Sequence, residues 1–155
     1  MKKKILIFIP AFNVEKEIFS VIKRIPKKIF KENIIKILII NDCSTDKTNK
    51  IISKIIQKFN YPFIVHNTNR NLGYGGVQKF ALSFAIKKKF DFVIMLHGDG
   101  QYRPESIPQF IKAYDHKDND AVFGNRVSRE DGFLRIIFSR ILSMLIYLKT
   151  MILIK

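Results

Sequence analysis

The chain has 155 residues, 47% of them hydrophobic, and a formal net charge of +15 from 28 basic and 13 acidic side chains. That length gives room for one domain with one core, and the apolar content excludes a disordered chain. Cys43 is the only cysteine, which excludes an internal disulfide and a cysteine-rich zinc site and suits a reducing compartment.

The charge points toward an anionic partner: nucleic acid, a membrane surface or a phosphorylated substrate. Yet 21 of the 28 basic residues are Lys and seven are Arg, in a chain also rich in Ile, Asn and Phe, the pattern that AT-rich codon usage produces by itself. The charge is therefore weak evidence about partners. No patch interleaves basic with aromatic residues, so no nucleic-acid partner is expected.

Met1-Lys2-Lys3-Lys4 before an apolar run has the outline of a secretory leader. Pro10 and Asn13 cut that run short and no small-residue cleavage site follows, so residues 5–9 are expected to form the first strand. Ile18, Val21, Ile22 and Ile25 then repeat at helical spacing, with Glu15 and Glu17 against the N-terminal dipole and Pro26 closing the segment. Residues 37–40 form a second strand. Ile51, Ile52, Ile55, Ile56 and Phe59 make a second helical stripe, entered through Ser44 or Thr45 as cap with Asp46 in the first turn.

Residues 63–65 are a third strand. After the glycine-rich Gly73-Tyr74-Gly75-Gly76, a third helical stripe runs through Val77, Phe80, Ala81, Phe84 and Ala85. Strands at 92–96 and 121–123 follow, with a short helix after Pro104 between them. The strands are short and not strictly alternating, as in a parallel sheet buried on both faces. Alternating strands and helices imply right-handed βαβ units in a Rossmann-like α/β fold.

Residues 133–155 are rich in Ile, Leu and Phe with Arg135, Arg140, Lys149 and Lys155 interspersed. The longest uncharged run, 141–148, is far below the ~20 residues needed to span a bilayer. Two readings stand: a helix lying in the membrane interface, or a core helix whose packing partner lies elsewhere.

Three polar segments sit where strands end: Ile9-Pro10-Ala11-Phe12-Asn13, Asn41-Asp42-Cys43-Ser44-Thr45-Asp46 and Leu96-His97-Gly98-Asp99-Gly100-Gln101. In an open α/β sheet such loops line one crevice, where ligands bind. A fourth segment, Asn71 to Gly76, opens the third helix but lacks the Walker pattern. With Gly124-Asn125-Arg126, these segments in this order resemble the family 2 inverting glycosyltransferases of GT-A fold. Within them the chain is most similar to the dolichyl/polyprenyl-phosphate sugar transferase branch, over about residues 4 to 140.

The resemblance implies a three-layer sandwich with a mostly parallel sheet and a short C-terminal part. It divides the chain into a nucleotide-sugar-binding domain at 1–132 and an amphipathic helix at 133–155, interfacial or the start of the acceptor region. The family domain usually extends further, so the chain is expected to stop within its acceptor half. The implied reaction transfers a sugar from a nucleoside-diphosphate sugar to a polyprenyl phosphate with inversion.

Each donor-site residue is implied at a matching position. Pro10 and Phe12 flank the base, and Asp42 contacts the nucleoside. Glu15 stands one place after the family's usual Glu, which is Val14 here. Gly73 and Gly98 let backbone approach the donor. The family's Asp-X-Asp reads His97-Gly98-Asp99, so Asp99 is the implied ligand of Mn²⁺ or Mg²⁺ and His97 a second ligand or a ribose contact. Gln101 orients the loop or touches the donor sugar, and Arg126 clamps phosphate oxygens; with Asp99 these make the catalytic set.

No general-base motif follows Arg126. A lipid phosphate, already anionic, needs none. The implied location is peripheral, at the cytoplasmic face of a membrane. The alternatives are the same donor chemistry with a glycan hydroxyl acceptor, or a non-catalytic remnant that binds nucleotide or membrane.

Overall fold

The computed structural model describes residues 2–115 and 121–124. Residues 1–120 and 121–155 group into separate compact units. The first holds four strands, β1 (Lys4–Ala11), β2 (Ile34–Asn41), β3 (Phe63–Asn67) and β4 (Phe92–Met95). Its helices are α1 (Ile18–Lys23), α2 (Lys28–Glu32), α3 (Thr48–Lys58), α4 (Gly73–Lys87) and α5 (Ile107–Asp115), with a 3-10 turn over Pro104–Ser106.

All pairings are parallel, in the order β3-β2-β1-β4. β1 runs in register with β2 from Lys4↔Ile34 to Ala11↔Asn41, and with β4 from Ile5↔Phe92 to Phe8↔Met95. The chain steps outward from β1 to β2 to β3, then returns to the other side of β1 for β4. That reversal opens a crevice between the carboxyl ends of β1 and β4.

Alternation along β1 explains the three layers. Ile5, Ile7, Ile9 and Ala11 face a core completed by Ile18, Val21 and Ile22 of α1, Ile29 of α2, Ile52 and Ile55 of α3, and Ile107 and Ile111 of α5. Leu6 and Phe8 face a smaller core with Leu38, Ile40 and Val77, Ala81 and Ala85 of α4. A strand covered on both faces reads as a continuous apolar run, as this one does.

Several boundaries differ from the sequence expectation. α1 begins at Ile18 with no acidic residue in its first turn, because residues 15–17 close a turn back onto Val14. α2 is a short extra helix after Pro26. α3 starts at Thr48, whose N–H is met by Asp46 rather than by Ser44 or Thr45. The glycine run is the first turn of α4, not a loop before it. Residues 121–124 form no strand: three apolar side chains do not specify a ladder without hydrogen-bonded pairing. The expected helix at 133–155 lies outside the described residues.

Arg24, just after α1, donates to both carboxylate oxygens of Glu105 from Nε and Nη2 at 2.7 and 2.8 Å. The pair ties α1 to the segment following β4. Its exposure keeps its worth to about 1 kcal/mol or less. The core is worth more. Ile39→Ala, at a fully buried central position, is expected to cost about 2–5 kcal/mol in urea unfolding. Ile86→Ala, at a 78% exposed position on α4, is expected to change stability by no more than about 0.5 kcal/mol.

Candidate functional site

The crevice at the carboxyl edge of the sheet holds a cleft of about 420 Å³. Seven candidate residues line it: Pro10 and Phe12 after β1, Asp42 after β2, Gly73 at the start of α4, and His97, Gly98 and Asp99 after β4. The topology brings these together from positions almost ninety residues apart. Glu15 and Gln101 are not in the lining. Arg126 lies outside the described residues.

Asp42 is buried, and both of its oxygens hold the chain. Oδ1 accepts from the N–H of Leu72 at 2.8 Å and the hydroxyl of Thr68 at 3.0 Å. Oδ2 accepts from the N–H of Gly73 at 3.0 Å. Asp42 therefore staples β2 to the turn that opens α4, leaving one acceptor position on Oδ2. Asn71 Oδ1 shares the Gly73 N–H at 2.8 Å.

Two glycines serve opposite needs. Gly73 has φ of +68° with open space around it, so its backbone conformation is what excludes a side chain. At Gly98 a Cβ would stand 2.9 Å from the carbonyl oxygen of Pro10, so room is what is missing there. Its N–H donates to that same oxygen at 3.3 Å, closing the floor of the cleft.

The loops after β1 and β2 are clasped together. Asn13, in the left-handed region at φ 53°, accepts on Oδ1 from the N–H groups of Thr45 and Asp46. Its own N–H donates to Ser44 Oγ, and the Val14 N–H donates to Thr48 Oγ1. Glu15 accepts from the Lys47 N–H at 2.7 Å, so its carboxylate meets the start of α3. Asp46 accepts from the Thr48 N–H at 2.9 Å and the Glu15 N–H at 3.2 Å. Desolvation raises its pKa, but hydrogen bonds from Thr48 and Glu15 outweigh that and hold it below the usual carboxylate value.

On the far wall, Asp99 Oδ1 accepts from the Gln101 N–H at 3.0 Å around Gly100 at φ +76°. Gln101 thus orients the loop through its backbone. The ring of His97 contacts those of Tyr74 and Tyr102, with centroids 5.6 and 4.8 Å away. Its Nε2 is buried and has no hydrogen-bond partner among the described residues. Among the described residues no three His, Cys, Asp or Glu side chains gather as a ready metal site.

Ala11, Val14, Asn71, Tyr74 and Val77 also line the cleft and were not singled out as donor contacts. Tyr74 was legible as the one large side chain inside the glycine run. Nothing local marks Val77, whose pattern is that of a core residue.

A model of glycosyl transferase family 2 matches residues 6–154. The chain is 31% identical over 119 residues to an uncharacterized protein of Methanocaldococcus jannaschii, covering 76% of this chain and 50% of that one. It is 27% identical over 142 residues to a UDP-N-acetylglucosamine–dolichyl-phosphate N-acetylglucosaminyltransferase of Methanococcus voltae, covering 84% and 55%. The structure of Staphylococcus aureus TarS 1–349 in complex with UDP-GlcNAc superposes with a TM-score of 0.59 at 25% identity, over 81% of this chain and 37% of that one. The mannosyltransferase PcManGT of Pyrobaculum calidifontis, in complex with GDP-Man and Mn²⁺, shares the fold with a TM-score of 0.56 at 13% identity, over 72% and 32%. The chain spans about half the length of the curated relatives it matches.

Two substitutions separate the staple from the clasp. Asp42→Asn places an amide nitrogen against a backbone N–H, and is expected to cost about 1–3 kcal/mol in urea unfolding. Asp46→Ala removes a cap and is expected to cost about 1 kcal/mol at neutral pH. Because the folded pKa of Asp46 is depressed, its contribution is present above the ordinary carboxylate value of 3.8 and lost as pH falls through the folded value. The gap between Asp46→Ala and wild type is therefore expected to narrow in acid, which unfolding at stepped pH measures.

Proposed function

The chain belongs to glycosyl transferase family 2, and from that membership we propose that its cleft binds a nucleoside-diphosphate sugar whose sugar passes, with inversion, to a polyprenyl phosphate. The observation that carries the reading is the cleft itself: Pro10, Phe12, Asp42, Gly73, His97, Gly98 and Asp99 converge at the switch point of a parallel sheet. The donors named for TarS and PcManGT, UDP-GlcNAc and GDP-Man, support the ligand class. The dolichyl phosphate named for the M. voltae relative supports the acceptor.

The residues divide the work. Phe12, 49% exposed, offers a ring face for the base beside Pro10. Asp42 keeps one acceptor position for a base or ribose donor while holding the turn at Gly73. Gly98 keeps the floor low enough for the diphosphate to lie across β1 and β4.

The donor set fits a divalent ion shared with the substrate rather than one caged by protein. Asp99 supplies one carboxylate, and hard ions of this kind are held by one or two carboxylates plus substrate phosphates. When bound, the ion offsets the charge of the departing diphosphate. In this reading Gln101 keeps Asp99 in place through its N–H, and Arg126 clamps phosphate oxygens.

Both carboxylates of the cleft already accept hydrogen bonds from the chain, which favours an acceptor that arrives anionic and needs no base. Among the described residues no helix is long and apolar enough to cross a membrane. A peripheral position at the cytoplasmic membrane face, where a lipid phosphate is presented, belongs to the same proposal.

Calorimetric titration with UDP- and GDP-sugars, with and without Mn²⁺, tests the donor site. One nucleotide is expected to bind in the micromolar-to-millimolar range usual for enzyme substrates, about 1 μM to 1 mM. Asp99→Ala is expected to remove the gain from Mn²⁺ with the fold retained. Incubation of the bound donor with polyprenyl phosphate is expected to yield a lipid-extractable glycoside. Failure of every nucleotide sugar to bind would sink the proposal.

A further inference from the structure

The far wall of the cleft carries a side chain whose chemistry differs from its expected neighbour. His97 occupies the first position of the segment that resembles Asp-X-Asp, so an imidazole ring stands where a carboxylate is implied. His97 lines the cleft two residues before Asp99, and its ring contacts those of Tyr74 and Tyr102. Its Nε2 is buried and, among the described residues, without a hydrogen-bond partner.

These facts have a common physical consequence. A carboxylate facing a diphosphate repels it, and a cation must stand between them. An imidazole N–H is a donor, and pairs with a phosphate oxygen without a bridge. An orphaned ring nitrogen beside a polar cleft is the kind of group that a ligand satisfies. We infer that His97 contacts the diphosphate of the bound nucleotide directly, its ring turning against the tyrosine rings it touches, so that this cleft holds a nucleoside diphosphate even without a divalent ion. The inference rests on the donor-binding reading above. It leaves Asp99 to hold an ion shared with the substrate, and makes that ion an addition to binding rather than its condition.

The test is calorimetry of the full 155-residue chain with UDP and GDP, in EDTA and in Mn²⁺. Wild type is expected to bind in EDTA within about tenfold of its affinity in Mn²⁺. His97→Ala is expected to weaken binding in EDTA by about ten- to a hundredfold, the worth of a hydrogen bond to a charged group. His97→Gln, which keeps a side-chain N–H donor, is expected to restore most of that loss. His97→Asp is expected to bind only in Mn²⁺.

Thermal melting followed by circular dichroism separates these effects from unfolding. If His97→Ala does not fold, the wild-type titration and the Gln and Asp variants decide. Wild-type binding in Mn²⁺ but not in EDTA overturns the inference and leaves the donor reading standing. So does equal binding in EDTA by folded His97→Ala and wild type. Absence of binding in both media overturns the donor reading, and this inference with it.

Discussion

The cleft depends on β1 standing between β2 and β4 in a parallel sheet. The strand is apolar on both faces and so must be covered twice, by α1, α2, α3 and α5 on one side and α4 on the other. Once it is central, its carboxyl end meets the ends of both neighbours. The reversal in strand order then sends the connections from β1 and β4 to opposite sides of the gap between them. At its floor Gly98 approaches the Pro10 carbonyl so closely that a methyl group does not fit. Burial of a strand thus fixes where the cleft forms.

The loops around the gap are held by polar groups with long sequence separation. Asn13 joins the loop after β1 to the loop after β2, and Asp42 joins β2 to the start of α4. Both use short side chains that accept several N–H groups at once, suiting loop backbone that lacks ladder partners. The result is a rim anchored to the sheet at several points. Such anchoring lowers the ordering cost when a ligand binds.

The strands were legible because parallel, doubly covered strands are short β-branched runs, and residues 5–9, 37–40, 63–65 and 92–96 all lie at β1 to β4 in turn. Helices with several turns were legible for the same periodic reason. α2 was not, since five residues with one buried side chain, Ile29, carry no period. The start of α3 was misplaced because Ser44 and Thr45 have capping chemistry but spend it on Asn13, while Asp46 meets the helix. Seven candidate site residues meet in the cleft, because motifs at strand ends are gathered by topology. Glu15 shows the limit: a carboxylate near a ligand loop looks the same in sequence whether it faces a cleft or a helix start. Only the fold placed it against Lys47.

Asp42 and Asp99 show how one residue type is given two tasks by its surroundings. Asp42 is 4% exposed and accepts three hydrogen bonds, so most of its capacity goes into the chain. Asp99 takes one such bond, on Oδ1, and sits on a loop bent by a left-handed glycine. Among the described residues no hydrogen bond holds Oδ2 of Asp99, which in the proposed reading makes it the better oxygen for an ion to claim. Two residues before it, the chain places a ring rather than a second carboxylate, and so removes one negative charge from the wall that would face a diphosphate. Repulsion falls with that charge, and the need for a bridging cation falls with it. In the proposed reading the charge carried by this wall, more than the number of its ligands, decides how strongly nucleotide binding and metal binding are coupled.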